Sequence, residues 1–142
     1  MLDSLNKNGK IVIEEPDMSG IVHYPYNKFM DEGQKLFNRC IQSQGADINI
    51  GYKIPQMLNQ LGVENIQVSI QQDCFMLGQL KCTLHAVLKN STETIIQQKL
   101  ATQEHLDRLI REITSYVNQK ETLVTRPRFF QIFGTKTSET TK

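Results

Sequence analysis

The sequence predicts an α/β fold on three observations. Runs rich in β-branched or aromatic residues lie near both ends of the chain, apolar residues recur at helical spacing between them, and glycine or proline stands at most junctions. At 142 residues, 39% of them hydrophobic and 22% charged, the chain has the size and composition of one globular domain, so a single core is expected. Sixteen Lys and Arg offset fifteen Asp and Glu, and the net charge of +1 leaves no excess to draw the protein to nucleic acid or an anionic membrane.

Asn8-Gly9 is a turn signal leading into Lys10-Ile11-Val12-Ile13, a run apolar on both faces, as in parallel strands covered by helices on each side. Charge and proline in Glu14-Glu15-Pro16-Asp17 are expected to end that strand. A loop through Ser19-Gly20 and His23-Tyr24-Pro25-Tyr26 follows. Apolar or small residues at Met30, Gly33, Leu36, Phe37, Cys40 and Ile41 then mark an amphipathic helix, with Gly45 as its C-terminal stop. A shorter helix is expected to begin near Pro55, whose missing N–H suits a first turn. Met57, Leu58 and Leu61 would form its apolar face and Gly62 its end.

Ile66, Val68 and Ile70 alternate with Gln67, Ser69 and Gln71, as in a half-exposed strand nearing a sheet edge. From about Leu80, the positions of Leu84, Val87, Leu88 and Ile95 favour a helix, although Thr94-Ile95-Ile96 also suits a strand. Thr102 has the place and chemistry of an N-cap for a helix buried through Leu106, Leu109, Ile110, Ile113, Tyr116 and Val117. The last strand should lie within residues 128–133 and be followed by Gly134. Residues 1–136 then form the folded body, and 137–142 a polar tail.

The eight glycines are isolated from one another, which excludes the clustered backbone cradles that hold phosphates, and there is no GxSxG elbow. Cys40, Cys74 and Cys82 are odd in number and lack CxxC spacing, so they read as reduced, buried thiols. His23, His85 and His105 match no common metal spacing, and no metal site is expected. His105 reads as solvated surface and His85 as a packed residue. His23 lies in the loop after the first strand, together with Glu14, Glu15, Asp17, Tyr24 and Tyr26. In open α/β sheets that loop borders the crevice where ligands sit. Arg126, Arg128 and Lys136 flank Phe129, Phe130 and Phe133, a pattern better explained by a core strand than by base stacking. No apolar run approaches the roughly 20 residues of a membrane helix. The first residues carry no signal-peptide pattern, and a cytoplasmic location is expected.

Taken in order, four stretches resemble the C-terminal half of a class I S-adenosylmethionine-dependent methyltransferase. Residues Leu5-Asn6-Lys7-Asn8-Gly9-Lys10-Ile11-Val12-Ile13-Glu14-Glu15 are similar to the family's leader-Lys-Pro-Gly-Gly turn and fifth strand, with Asn8 and Lys10 replacing the proline and second glycine. Gly51-Tyr52-Lys53-Ile54-Pro55-Gln56-Met57-Leu58 resembles its Gly-x-x-Leu-Pro-x-Leu-Leu helix. Leu61-Gly62-Val63 running to Ile66-Gln67-Val68 resembles the approach to its sixth strand. Arg128-Phe129-Phe130-Gln131-Ile132-Phe133-Gly134-Thr135-Lys136 is similar to its closing strand.

The resemblance implies a partial Rossmann-like methyltransferase sheet of about three strands with flanking helices. In it the last strand would run antiparallel, inserted between the fifth and sixth. The glycine-rich loop, ribose-binding acid and fourth-strand residues that hold the methyl donor in that family have no counterpart in this sequence, so S-adenosylmethionine is not expected to bind this chain alone. Glu15, Asp17, Tyr24 and Tyr26 would line the site of a small-molecule acceptor. The strand at 10–13 would lack its usual neighbour, which calls for a second copy of the chain or a separate polypeptide to cover it. The alternative reading is a non-catalytic interaction or dimerisation module that uses that strand edge.

Overall fold

Residues 4–78, 81 and 83–137 are described by a computed structural model. In chain order the elements are β1 (Lys10–Asp17), β2 (His23–Tyr24), α1 (Lys28–Ser43), α2 (Ile50–Gln60), β3 (Val63–Gln71), β4 (Cys74–Phe75), α3 (Thr83–Asn90), α4 (Thr92–Gln97), α5 (Gln103–Val117), β5 (Leu123–Thr125) and β6 (Arg128–Lys136). A single 3-10 turn spans Met18–Gly20. The fold is α/β, with two three-stranded antiparallel sheets among the described residues. The chain divides into two compact units: Met1–Asp17 with Asn49–Gln71 and Arg128–Lys142, and Met18–Ile48 with Gln72–Pro127. Instead of the expected single core, each unit has its own.

In the first unit the strand order is β1-β6-β3, and β6 runs antiparallel to both neighbours, so β1 and β3 point the same way. Ile11, Phe130, Ile132 and Val63 meet Ile54 and Leu58 of α2, and this cluster covers one face of the sheet. Ile13 and Val68 both pair with Ile132, which sets the register across all three strands. Gly134 does not end the last strand but lies inside β6, where a Cβ would meet the Val63 side chain and come within 3.4 Å of Ile11.

Four further expectations for this unit are corrected. β1 does not stop at Glu14 but continues to Asp17, with Pro16 opposite Phe129. It is the outer strand of its sheet, so a residue lacking an N–H can be tolerated there. Nor is β1 buried on both faces: Ile11 is buried, while Val12 is 62% exposed, as suits an antiparallel sheet covered on one side. α2 starts at Ile50, ahead of Pro55, which sits within the helix. Its buried face is Gly51, Ile54 and Leu58, whereas Met57 and Leu61 are exposed.

In the second unit, α1, α3, α4 and α5 enclose Met30, Leu36, Cys40, Leu84, Leu88, Ile95, Leu106, Leu109 and Ile113. The side-chain oxygen of Asn27 accepts from the N–H groups of Phe29 and Met30 at 2.9 and 3.2 Å, which caps α1. Thr102 caps α5 as expected, accepting from the His105 N–H at 3.2 Å. Gly45, at φ +81°, follows the end of α1. Thr94, Ile95 and Ile96 are helical, since Ile95 is needed in the core as part of α4. The proposed helix start near Leu80 and the tail beyond Thr137 lie outside the described residues.

The second sheet, β2-β5-β4, has strands of two or three residues and was not anticipated. Segments so short carry no readable period. Cys40 is buried, as expected, but Cys74 on β4 is exposed, and Cys82 lies outside the described residues.

Tyr116 is 3% exposed, and its hydroxyl donates to the Pro25 carbonyl at 2.7 Å. Burial raises its pKa above the ordinary phenol value, because the phenolate loses hydration. The unfolded chain therefore releases this proton first as pH rises, so the contribution to stability is complete below the unfolded pKa of about 10 and is lost above it. Urea unfolding should show a decline in stability beyond that pH that is smaller in Tyr116→Phe. Parallel declines in the two proteins would assign the alkaline loss to other groups.

Candidate functional site

The carboxyl ends of β1 and β3 lie at the same end of the first sheet, where β6 begins. Period two along β1 puts Ile11, Ile13, Glu15 and Asp17 on one face, the face that carries α2. A carboxylate there is removed from water and requires donors. Asp17 is 1% exposed, and its Oδ2 accepts from Arg128 Nη2 at 2.6 Å and from the Tyr52 hydroxyl at 2.8 Å. Arg128 Nη2 also lies 2.9 Å from the Tyr52 hydroxyl, closing a three-membered network. The Tyr52 ring packs on Phe130 at 4.6 Å between centroids. Gly51 brings this part of α2 close to the sheet, since a Cβ there would lie 3.0 Å from the Phe130 ring.

The chemistry of this arrangement differs from that of an open carboxylate. Both donors engage Asp17 within the structure, so the groups presented outward are the guanidinium of Arg128, whose side chain is 35% exposed, and the phenol of Tyr52. Arg128 Nε is buried and has no hydrogen-bond partner among the described residues. The phenol's one proton is taken by Asp17, so the donors left to the surface are the remaining N–H groups of Arg128, which suit an acceptor rich in oxygen. On the other face of β1, Glu14 accepts from Gln131 at 3.0 Å.

Of the site residues expected from sequence, Glu15 and Asp17 lie on the same face of β1 in the first unit. Tyr24 and Tyr26 belong to the second unit and are 70% and 73% exposed. His23 lies 6.1 Å from Tyr26 and 6.0 Å from Tyr116 between ring centroids, and its Nε2 is 3.6 Å from Asp31 Oδ1. His105 is not simply solvated, because its Nε2 lies 2.9 Å from Glu32 Oε1.

Sequence reasoning missed Tyr52 and Arg128 as site residues, and it missed Lys81. Lys81 is 3% exposed and donates to the carbonyls of Met76 and Gln119 at 3.1 and 2.7 Å. Among the described residues no three His, Cys, Asp or Glu side chains are grouped to hold a metal, and no helix is long and apolar enough to cross a membrane. No protein-family model matches this chain, and no curated protein matches it.

Proposed function

We propose that this chain is the substrate-side part of an S-adenosylmethionine-dependent methyltransferase acting on a small molecule in the cytoplasm, with the methyl donor held by residues outside this sequence. The reading is carried by one observation: β6, the latest strand in the chain, lies between β1 and β3 and antiparallel to both, the order that the resemblance to a partial Rossmann-like sheet implies. The outer edge of β1, which has no strand beside it among the described residues, agrees with a neighbouring strand supplied from elsewhere. Transfer would form a bond from the acceptor to the methyl carbon as the sulfonium–carbon bond breaks, with the acceptor's proton leaving to solvent or a base. The part of this unit would be to hold the acceptor in line, with Arg128, positioned by Asp17 and Tyr52, donating its remaining N–H groups to the acceptor's oxygens.

The competing reading is a non-catalytic module that joins a second copy or another chain along β1. It is favoured by that same edge and by the exposure of Val12 beside it. Isothermal titration with S-adenosylmethionine should give no heat of binding with this chain alone. Micromolar affinity would overturn the division of labour proposed here. Light scattering across a dilution series should detect self-association if a second copy covers the edge. A stable monomer at every concentration, with nothing seated on the β1 edge, would count against both the docking reading and the idea that a neighbouring strand is missing.

A further inference from the structure

Helix α1 carries Lys28, Glu32, Lys35 and Arg39 at spacings of four, three and four, a single stripe along one face. The stripe lines a cavity of about 340 Å3 that also reaches Leu36, Leu100 and His105. Its volume lies at the lower end of the range for small-molecule sites. The two carboxylates at the cavity face imidazoles: Glu32 lies 2.9 Å from His105, and Asp31 lies 3.6 Å from His23. The side chain of His23 is nine-tenths buried, and its Nε2 has no hydrogen-bond partner. Lys35 and Arg39 have no carboxylate partner among the described residues, and the ammonium of Lys28 rests 5.0 Å over the Phe29 ring.

We infer that this cavity is a binding site for a small organic anion, a phosphate or carboxylate group carried on a short apolar body. The oxyanion would meet Lys35 and Arg39, whose guanidinium can hold two oxygens at once, with Lys28 adding a third positive charge. The apolar body would lie against Leu36, Leu100 and Ala101. The three cations Lys28, Lys35 and Arg39 outnumber the two carboxylates Asp31 and Glu32 along the cavity, which leaves its lining net positive toward an incoming anion. The site shares none of Asp17, Tyr52 and Arg128, since every residue in it belongs to the second unit, although Tyr26, expected from the resemblance to line an acceptor site, lies along this cavity.

The test is a proton–nitrogen NMR titration of the full chain with phenyl phosphate, benzoate, inorganic phosphate and benzylamine in turn. Phenyl phosphate or benzoate should give saturable shifts confined to the amides of residues 28–39 and 100–105, and the tighter of the two identifies the oxyanion. Arg39→Gln and Lys35→Gln should each weaken that binding about tenfold, in keeping with loss of a charge-assisted hydrogen bond. Lys120→Gln, away from the cavity, should leave it unchanged. Both affected side chains are on exposed residues, so the spectra of the variants should stay dispersed. Inorganic phosphate should bind more weakly than phenyl phosphate, and benzylamine not at all. The inference is overturned if neither aromatic anion saturates, if benzylamine shifts the same amides, if inorganic phosphate binds as tightly as its ester, or if both substitutions leave affinity unchanged.

Discussion

Replacing Asp17 with alanine should cost the protein about 2–3 kcal/mol of stability, measured by urea unfolding at neutral pH. The carboxylate is enclosed by the fold and holds both Arg128 and Tyr52, so its removal strands a guanidinium whose Nε already lacks a partner. The figure is set below that of a fully buried ion pair because the Arg128 side chain is 35% exposed and water can recover part of the loss. Asp17→Asn, which keeps an acceptor oxygen but no charge, should lose roughly half as much. Tyr52→Phe, which removes one neutral donor, should lose about 1 kcal/mol. A loss below about 0.5 kcal/mol in Asp17→Ala would place that variant among ordinary surface substitutions and remove the network from any role in positioning Arg128.

Ile113→Ala should cost about 3–4 kcal/mol, since the side chain is 0% exposed and its loss opens a cavity. The same residue decides the fate of a glycine on the facing helix. A Cβ at Gly33 would sit 2.6 Å from Ile113 Cδ1 and 3.1 Å from Leu88 Cδ1. Overpacking of this kind costs about 1–3 kcal/mol and outweighs the roughly 1 kcal/mol that alanine gains over glycine inside a helix. Gly33→Ala should therefore destabilise the native chain. Ile113→Val deletes the very methyl group that Cβ would strike, so in that background Gly33→Ala should be close to neutral or stabilising. A double-mutant cycle with a coupling above about 0.5 kcal/mol confirms the contact, and strict additivity would refute it.

Much of the fold was legible because the relevant signals are local. The stripe from Leu106 to Val117 and the Thr102 cap lie within one stretch of chain and needed no tertiary information. α2 starts five residues ahead of Pro55, because a proline marks a helix start less surely than the period of its buried face. Gly51, Ile54 and Leu58 carry the spacing of the buried face and would have set the helix start correctly. The site was less legible, for reasons of distance along the chain. Asp17 and Arg128 are separated by 111 positions, and Tyr52 and Arg128 by 76, so no spacing rule joins them. A partial signal was present: had β1 been extended, period two would have put Asp17 on the same side as Ile11, where a carboxylate needs a cation.

The central place of β6 constrains the order of events during synthesis. β1 and β3 leave the ribosome well before residues 128–136 and do not pair with each other, so each must wait without a ladder partner until β6 arrives between them. Most of the second unit's contacts, in contrast, join helices whose residues have all emerged by Val117. The helical unit should therefore become protected first in pulsed hydrogen exchange, with the first sheet following as a later and slower phase dominated by distant pairings.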